Sequence, residues 1–183
     1  MNESRNTCGQ ACALTVLAPI REGRESALTH RLNTLQPGPA SPLANVTGTH
    51  FARWVVIGDV VYEGTSQRRP DHLKAGRLLF TSNFDGPLGQ YLEELRAGLG
   101  AVADEVWGHC AGYPGSADAG AFAAYMRSHQ IESSLFFASY GGRRVAEVER
   151  SLATRRQVID FAVRSQRMAP TELQAAFRET FGG

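Results

Sequence analysis

Alternation of apolar and polar positions predicts three strands in the first half of the chain. Residues 14–20 place every second side chain on one apolar face, which is the period of a half-buried strand. The same reasoning predicts a second strand over residues 50–61 and a third over residues 76–84. Residues 62–75 between them are polar and too numerous for a tight hairpin, so we expect an excursion at one end of the sheet.

Apolar residues three and four apart predict helices between and after these strands. One helix falls within residues 21–38 and stops at the Pro-Gly pair that ends this segment. A longer helical pattern covers residues 87–110, and Gly98 and Gly100 weaken its middle. We therefore expect this second helix to bend or split at the glycines.

In the second half, residues 119–129 are typical of a short helix, and residues 131–140 form an apolar, aromatic run of strand length. A long helix is expected over residues 145–162, followed by a short one over residues 169–181. The predicted order is β-α-β-β-α-β with additional C-terminal helices. This is the ferredoxin-like α+β arrangement, in which one antiparallel sheet carries helices on one face.

The length of 183 residues fits one domain with a sizeable core. We expect a flexible N-terminus over residues 1–12, a single ferredoxin-like domain over residues 13–165 and a helical tail over residues 166–183. The second face of so apolar a sheet needs a cover, and pairing of two copies through their sheets is the simplest one. The expected protein is therefore a homodimer.

Composition and charge narrow the classes of partner. Hydrophobic residues make up 43% of the chain and charged residues 20%, as in ordinary folded proteins. A net charge of +1 argues against a nucleic-acid partner, which requires a strongly basic face. No apolar run reaches the roughly 20 residues that span a bilayer, and the first residues lack the pattern of a signal peptide. We expect a cytoplasmic protein with no nucleic-acid or membrane partner.

Four segments carry a resemblance to a known superfamily. In chain order they are ALTVLAPI, HFARWVV, RLLFTSNF and SLFFASY, with helical patterns after the first and the third. Over residues 13–165 this order resembles the dimeric α+β barrel superfamily, in which two such sheets pack into a barrel. Its members include haem-degrading monooxygenases, relatives of chlorite dismutase and dye-decolorising peroxidases, cofactor-free quinol monooxygenases, lactone isomerases and polyketide cyclases. The chain is nearest in character to the haem-binding members, so the resemblance implies a homodimer that binds haem.

His50, Arg53 and Trp54 lie at the start of the second predicted strand. Because side chains alternate on a regular strand, we expect His50 on the face of Trp54 and Arg53 on the opposite face, unless a bulge intervenes. An arginine in so apolar a strand needs a partner, since a buried unpaired charge is costly. That partner is either a structural carboxylate or an anionic ligand.

Asn83 and Asp85 share one face at the end of the third predicted strand. A Gly-Pro pair follows Asp85, so this carboxylate fits either a helix cap or a functional group. The Asn83 amide is suited to orienting a ligand carbonyl or a bound oxygen species. With His50 and Arg53, these two residues are the candidate catalytic residues.

Residues 106–115 are the densest polar cluster and contain Trp107, His109 and Tyr113. A protonated histidine at a helix C-terminus is favoured electrostatically, and imidazole is also the commonest axial ligand of haem iron. The resemblance implies an axial histidine on the helix after the third strand, which is the element that carries His109. This residue is therefore either a helix cap or the candidate metal ligand.

Arg143 follows a glycine pair where the fourth predicted strand turns into a helix. Backbone NH groups at a helix start, together with a guanidinium group, can hold a carboxylate or a haem propionate. The alternative is a solvent-exposed arginine beside a sharp turn. With His109 as the metal ligand, the candidate cofactor-binding residues are completed by Trp54, Trp107, Tyr113 and Arg143.

Three functions are compatible with these residues. The leading expectation is a haem-associated oxidoreductase, peroxidase- or oxygenase-like, that acts on a hydrophobic or aromatic small molecule. In it His109 or His50 binds iron, while Arg53 or Asn83 steers bound peroxide or oxygen. The first alternative is a cofactor-free isomerase, cyclase or monooxygenase with His50 as general base and Asp85 or Asn83 as orienting group. The second alternative is a non-enzymatic module that binds a small molecule or a partner.

Overall fold

An antiparallel sheet is the framework of the N-terminal part of the chain. The structure is a computed structural model and describes residues 5–60, 72–140 and 142–182. The chain divides into two units, residues 1–142 and residues 143–183. The first unit has an α+β fold, whereas the second consists of two helices.

Four strands build the sheet: Thr7–Cys8 is β1, Ala11–Pro19 is β2, Thr49–Ile57 is β3 and Arg77–Asp85 is β4. Their order in the sheet is β1-β2-β4-β3, and each neighbouring pair is antiparallel. The three long strands confirm the alternation read from the sequence, with bounds displaced by about one to four residues. Such displacements are normal, because strand ends depend on hydrogen bonding that a sequence pattern does not contain.

The expectation of a strand over residues 131–140 is wrong, because this run is not a strand in the structure. The chain pairs with β2 through one bridge between Val16 and Gln130 and then leaves the sheet. The N-terminal segment takes the other half of the same edge: β1 pairs with the start of β2, and the NH of Ala13 donates to the Asn6 carbonyl at 2.8 Å. A strand edge offers a single row of backbone groups, so these two segments share it with Ala111, whose NH donates to the carbonyl of Pro19 at the end of β2.

Six α-helices occur in the described residues, four in the first unit and two in the second. Two short 3-10 turns, Gly38–Ala40 and Pro42–Asn45, precede β3. The helices are α1 (Glu25–Thr34), α2 (Leu88–Leu99), α3 (Ala101–Trp107), α4 (Ala119–Ser128), α5 (Val145–Ser165) and α6 (Pro170–Phe181).

The predicted break in the helix after the third long strand is confirmed. Gly100 separates α2 from α3 and has a φ of 53°, a conformation that costs other residues free energy but not glycine. The chain therefore turns at Gly100, which lets α3 run in its own direction with Trp107 at its end.

One face of the sheet packs against the helices of the first unit and forms the core. The indole of Trp107 is fully buried, with its centre 5.3 Å from that of Phe80 and 6.2 Å from that of Phe122, both edge-on. Edge-to-face pairs of this kind add stability beyond the burial of apolar area. The other fully buried large side chains are Leu14, Val16, Ile20, Leu28, Leu78, Phe84, Leu92, Leu95 and Met126.

The opposite face of the sheet, here called the open face, has no helix of the described first unit on it. Its side chains come from the alternate positions of the same strands, including Thr15, Phe51, Val55 and Thr81. Phe51 is 77% exposed, which is unusual for an aromatic residue in a long strand. The structure contains one copy of the chain, so the predicted pairing of two sheets stays a prediction.

The expected excursion over residues 62–75 lies largely outside the described residues, which resume at residue 72. The residues that flank it are held together by one carboxylate. Asp59 accepts hydrogen bonds from His72 at 2.6 Å and from the backbone NH of Leu73 at 2.7 Å. The His72 bond, followed by those from the backbone, lowers the pKa of Asp59 to about 2.

In the second unit, α5 and α6 meet through three phenylalanine rings. The ring centre of Phe161 lies 5.8 Å from that of Phe177 and 5.4 Å from that of Phe181. Arg164 also donates to the Thr180 hydroxyl at 3.4 Å. None of the residues of these two helices is fully buried.

Replacement of a ring on the core face of the sheet should lower the free energy of unfolding much more than replacement of a ring on the open face. We expect Phe80→Ala to lower the free energy of unfolding by about 3–5 kcal/mol, because it leaves a cavity beside Trp107. Phe51→Ala, on the open face, should change it by less than about 1 kcal/mol. Urea unfolding followed by tryptophan fluorescence measures this, since both tryptophans, Trp54 and Trp107, lie in the first unit. Equal losses in the two variants would contradict the burial of Phe80 in the core.

Candidate functional site

A β-bulge at the start of β3 determines where His50 points. The register shifts between Thr49, which pairs with Phe84, and Phe51, which pairs with Asn83, so His50 is an extra residue between the two pairs. An extra residue interrupts the alternation of side chains. His50 was expected on the face of Trp54 only if the strand were regular, and because the strand is bulged here His50 does not share that face. The bulge places His50 on the open face with Phe51.

His50 forms a close polar contact with Asp85 at the end of β4. The Nε2 atom of His50 lies 2.9 Å from Oδ1 of Asp85, and each side chain is only 16% exposed. An ionised carboxylate only accepts hydrogen bonds, so in the neutral ring this contact holds the proton on Nε2. The other nitrogen, Nδ1, is then the proton acceptor. It forms no hydrogen bond with the described part of the chain.

The backbone around Gly48 holds this contact in place. The NH of Asp85 donates to the Gly48 carbonyl at 2.9 Å, which ties the end of β4 to the residues just before the bulge. Gly48 has a φ of 74°, and a Cβ there would lie 3.5 Å from the Cβ of Asp85. A glycine fits this turn because other residues rarely adopt such a φ.

A pocket of about 360 Å³ opens beside His50. The strands contribute Phe51 and Asn83 to its lining, whereas the opposite wall is the segment that the sequence had indicated as a fourth strand. Its volume lies within the range of small-molecule sites. That wall consists of Phe136, Phe137, Ala138, Ser139 and Tyr140. The apolar run thus supplies aromatic rings to a pocket instead of hydrogen bonds to the sheet.

A second pocket of about 550 Å³ lies next to the first on the open face. Both pockets are lined by Phe51, Asn83 and Phe136, so they form one groove along the sheet. Arg53 lines the second pocket, and its Nε donates to the Thr81 hydroxyl at 3.2 Å. No carboxylate of the described residues forms an ion pair with Arg53, so the structural salt bridge considered from the sequence is not seen in this part of the chain.

The structure brings together four of the predicted site residues. His50 and Asn83 line the first pocket, and Asp85 forms a hydrogen bond with His50. Arg53 lines the adjoining pocket. The sequence did not indicate the aromatic wall, because an apolar run of strand length at residues 131–140 fits a buried strand equally well. The density of aromatic residues in this run is the signal that was present.

The predicted cofactor-binding residues lie elsewhere. Trp54 and Trp107 pack against each other in the core with ring centres 5.8 Å apart. The Tyr113 hydroxyl donates to Oδ1 of Asp104 at 2.9 Å, and burial, followed by Asp104, raises the pKa of Tyr113. Arg143 belongs to the second unit, where it forms an exposed ion pair with Glu147 at 3.8 Å. None of these residues lines the two pockets of the open face.

His109 follows α3, and its backbone is fixed to the loop after β2. Its carbonyl accepts from the NH of Arg21 at 3.0 Å. Burial, followed by the charges of Arg24 and Arg21, lowers the pKa of His109. The lowered pKa disfavours the protonated histidine that a charge-based helix cap requires. Its Nδ1 atom is buried and without a hydrogen-bond partner in the described residues.

The described residues contain no group of three or more His, Cys, Asp or Glu side chains placed to hold a metal ion. None of the described helices is long and apolar enough to cross a membrane. No model of a known protein family, no curated protein and no solved structure matches the chain. The site is therefore interpreted from its own geometry.

The lowered pKa of His109 makes the free energy of unfolding fall as the pH is lowered. Below the ordinary histidine pKa of about 6.5 the unfolded chain binds a proton that the folded chain binds only at lower pH, so acid favours unfolding. We expect the free energy of unfolding to fall from about pH 7 to about pH 5, and to fall less in His109→Gln. Urea unfolding at both pH values measures this, with the exposed His30→Gln as the control. An identical pH dependence in wild type and His109→Gln would contradict the assignment.

Proposed function

We propose that this chain is a cofactor-free enzyme in which His50 removes a proton from a hydrophobic or aromatic small molecule, as an isomerase, cyclase or monooxygenase does. The observation that carries the proposal is the 2.9 Å contact between His50 and Asp85 beside an aromatic pocket. A carboxylate that orients an imidazole is the usual support of a histidine general base. In this proposal the enzyme acts in the cytoplasm, as the sequence indicates.

The proton transfer begins with Nδ1 of His50. A C–H bond next to a substrate carbonyl breaks, its proton passes to Nδ1, and its electron pair moves onto the carbonyl oxygen to give an enolate. Asp85 stabilises the imidazolium ion that forms and keeps the ring in position. When a carbon–carbon double bond of the substrate is conjugated with this enolate, return of the proton to the far carbon of the conjugated system completes an isomerisation in which no atom is gained or lost.

Asn83 supplies the group that faces the developing negative charge. Its amide can donate hydrogen bonds, and it lines both pockets of the groove. A donor aimed at the carbonyl oxygen stabilises the enolate more than the neutral substrate, which is the condition for lowering a barrier. Asn83 is therefore the proposed orienting and stabilising residue.

The aromatic wall accounts for the class of substrate. Phe51, Phe136, Phe137 and Tyr140 surround the pocket beside His50. Such rings bind an apolar or aromatic molecule and keep water from the reacting carbon. The shared lining of the two pockets gives space for a molecule longer than one ring.

The replacement of the general base tests the proposal directly. The probe is an aryl-substituted unsaturated lactone with an acidic ring proton, and NMR in deuterated water follows its isomerisation and deuterium uptake. We expect His50→Gln to lower kcat/KM by about 100-fold or more, since general-base catalysis is worth that much. Asp85→Asn should lower it less, because a base that has lost its orienting partner still accepts a proton.

The matched control is His30→Gln, an exposed histidine on α1, which should keep wild-type kcat/KM. Circular dichroism of each variant separates lost folding from lost chemistry. Wild-type rates in a folded His50→Gln variant, or no turnover and no deuterium uptake in the wild type, would contradict the proposal. Binding of the lactone without turnover would favour the non-enzymatic binding module.

A haem-associated oxidoreductase is a second proposal. The buried Nδ1 of His109 favours it, because this atom has no hydrogen-bond partner in the described part of the chain and therefore fits a ligand as well as a packing defect. Against it, His109 does not line the groove that holds Arg53 and Asn83, so these residues do not converge on one bound group.

Haem titration of the purified protein tests this second proposal. If His109 is an axial ligand, haem should give a Soret band in the absorption spectrum that is retained in His50→Ala and lost in His109→Ala. A band lost only in His50→Ala would place the iron in the groove. No Soret band in the wild type would exclude the haem proposal and leave the acid–base reaction unaffected.

A further inference from the structure

The long helix α5 has two apolar faces, and only one of them has a partner among the described residues of the second unit. Phe161 lies on the first and contacts the rings of Phe177 and Phe181 on α6. The second face lies roughly opposite, because the two residues from Ile159 to Phe161 turn a helix by about 200°. We call this second face the apolar stripe: Val148, Leu152 and Ile159.

The apolar stripe is left exposed. Val148, Leu152 and Ile159 are between 37% and 47% exposed, although such residues at helical spacing normally face a core. A helical pair as short as residues 143–183 is too small to build an adequate core alone. Its two helices bury none of their residues fully, so a further apolar surface is needed.

The spacing of the stripe is that of a helix seam. Its members follow one another at intervals of four and seven residues, the pattern of helices that pair side by side. Arg155 lies at the seam position after Leu152. A parallel, in-register pair would bring it against Arg155 of the partner subunit. Like charges at a seam are unfavourable, so the sequence of α5 disfavours parallel pairing.

The charges beside the stripe suit an antiparallel pair. Glu149 and Arg156 lie on the same flank of α5, and neither forms an ion pair within the described residues. When Val148 faces Ile159 of the partner subunit, Glu149 comes close to Arg156 of the partner subunit. Two-fold symmetry then forms this ion pair twice, which a parallel pair does not achieve.

We propose that the apolar stripe of α5 is the surface through which two copies of this chain associate, with their α5 helices antiparallel. This interface lies in the second unit and involves none of the groove residues, so it does not depend on the proposed reaction. It differs from the expected pairing of two sheets, and it leaves the open face available to a small molecule.

Sedimentation equilibrium of the full chain tests the interface. We expect the wild type to be a dimer and Leu152→Glu/Ile159→Glu to raise the dissociation constant at least about tenfold, because charge replaces the seam. The matched control is Ala146→Glu/Ala153→Glu, which adds the same charge at the same spacing on exposed positions away from the stripe. This control should remain dimeric. Circular dichroism checks that α5 is still helical.

Reversal of the flanking charges tests the antiparallel direction. Glu149→Arg alone should weaken the dimer, because it places arginine beside Arg156 of the partner subunit. Adding Arg156→Glu should restore the wild-type dissociation constant to within about threefold. A double variant as weak as the single one would overturn the antiparallel arrangement.

Two further outcomes would overturn the proposal itself. A monomeric wild type would mean that the stripe is not a contact between copies. A dimer that survives Leu152→Glu/Ile159→Glu but dissociates in Val55→Asp would assign the interface to the open face of the sheet, where Val55 lies. Dissociation by the stripe variant with no effect of Val55→Asp supports the proposal.

Discussion

The first unit depends on the position of β4 between β2 and β3. Its backbone pairs on both sides, so its side chains must alternate strictly between the helices and the open face. Phe80 and Phe84 are fully buried on one face. Thr81 and Asp85, the residues that follow them in the sequence, lie on the other face. Burial of the two rings therefore determines the face of the sheet on which the Asp85 carboxylate lies. A slip by one residue would expose both rings and bury Asp85.

The bulge at His50 is the second local feature on which the site depends. In a regular strand this imidazole would face the core beside Trp54, where its polar nitrogens would need partners. One extra residue brings it instead to Asp85, at 2.9 Å. Bulges often occur where a strand must redirect one side chain, and here the redirected side chain is the proposed general base.

The two units are stabilised in different ways. The first buries large aromatic and aliphatic side chains around Trp107, as a domain of ordinary size does. The second contains a cluster of three phenylalanine rings between α5 and α6 and leaves apolar residues of α5 exposed. A helical unit this small has little core of its own, so its exposed apolar residues are the basis of the interface proposed for α5.

Local patterns in the sequence determined the three long strands, the helices and the break at Gly100, since periods of two and 3.6 residues and the freedom of glycine act over a few neighbours. They also singled out His50, Arg53, Asn83 and Asp85 as candidates. Only the tertiary structure decided that His50 and Asp85 touch. Their contact needs an extra residue in β3, and the pairing of β3 with β4 determines where that residue lies. The tertiary structure also decided which conformation residues 131–140 adopt. Their pattern suits a strand, but the edge of β2 was already shared with the N-terminal segment, so the run became the aromatic wall of a pocket.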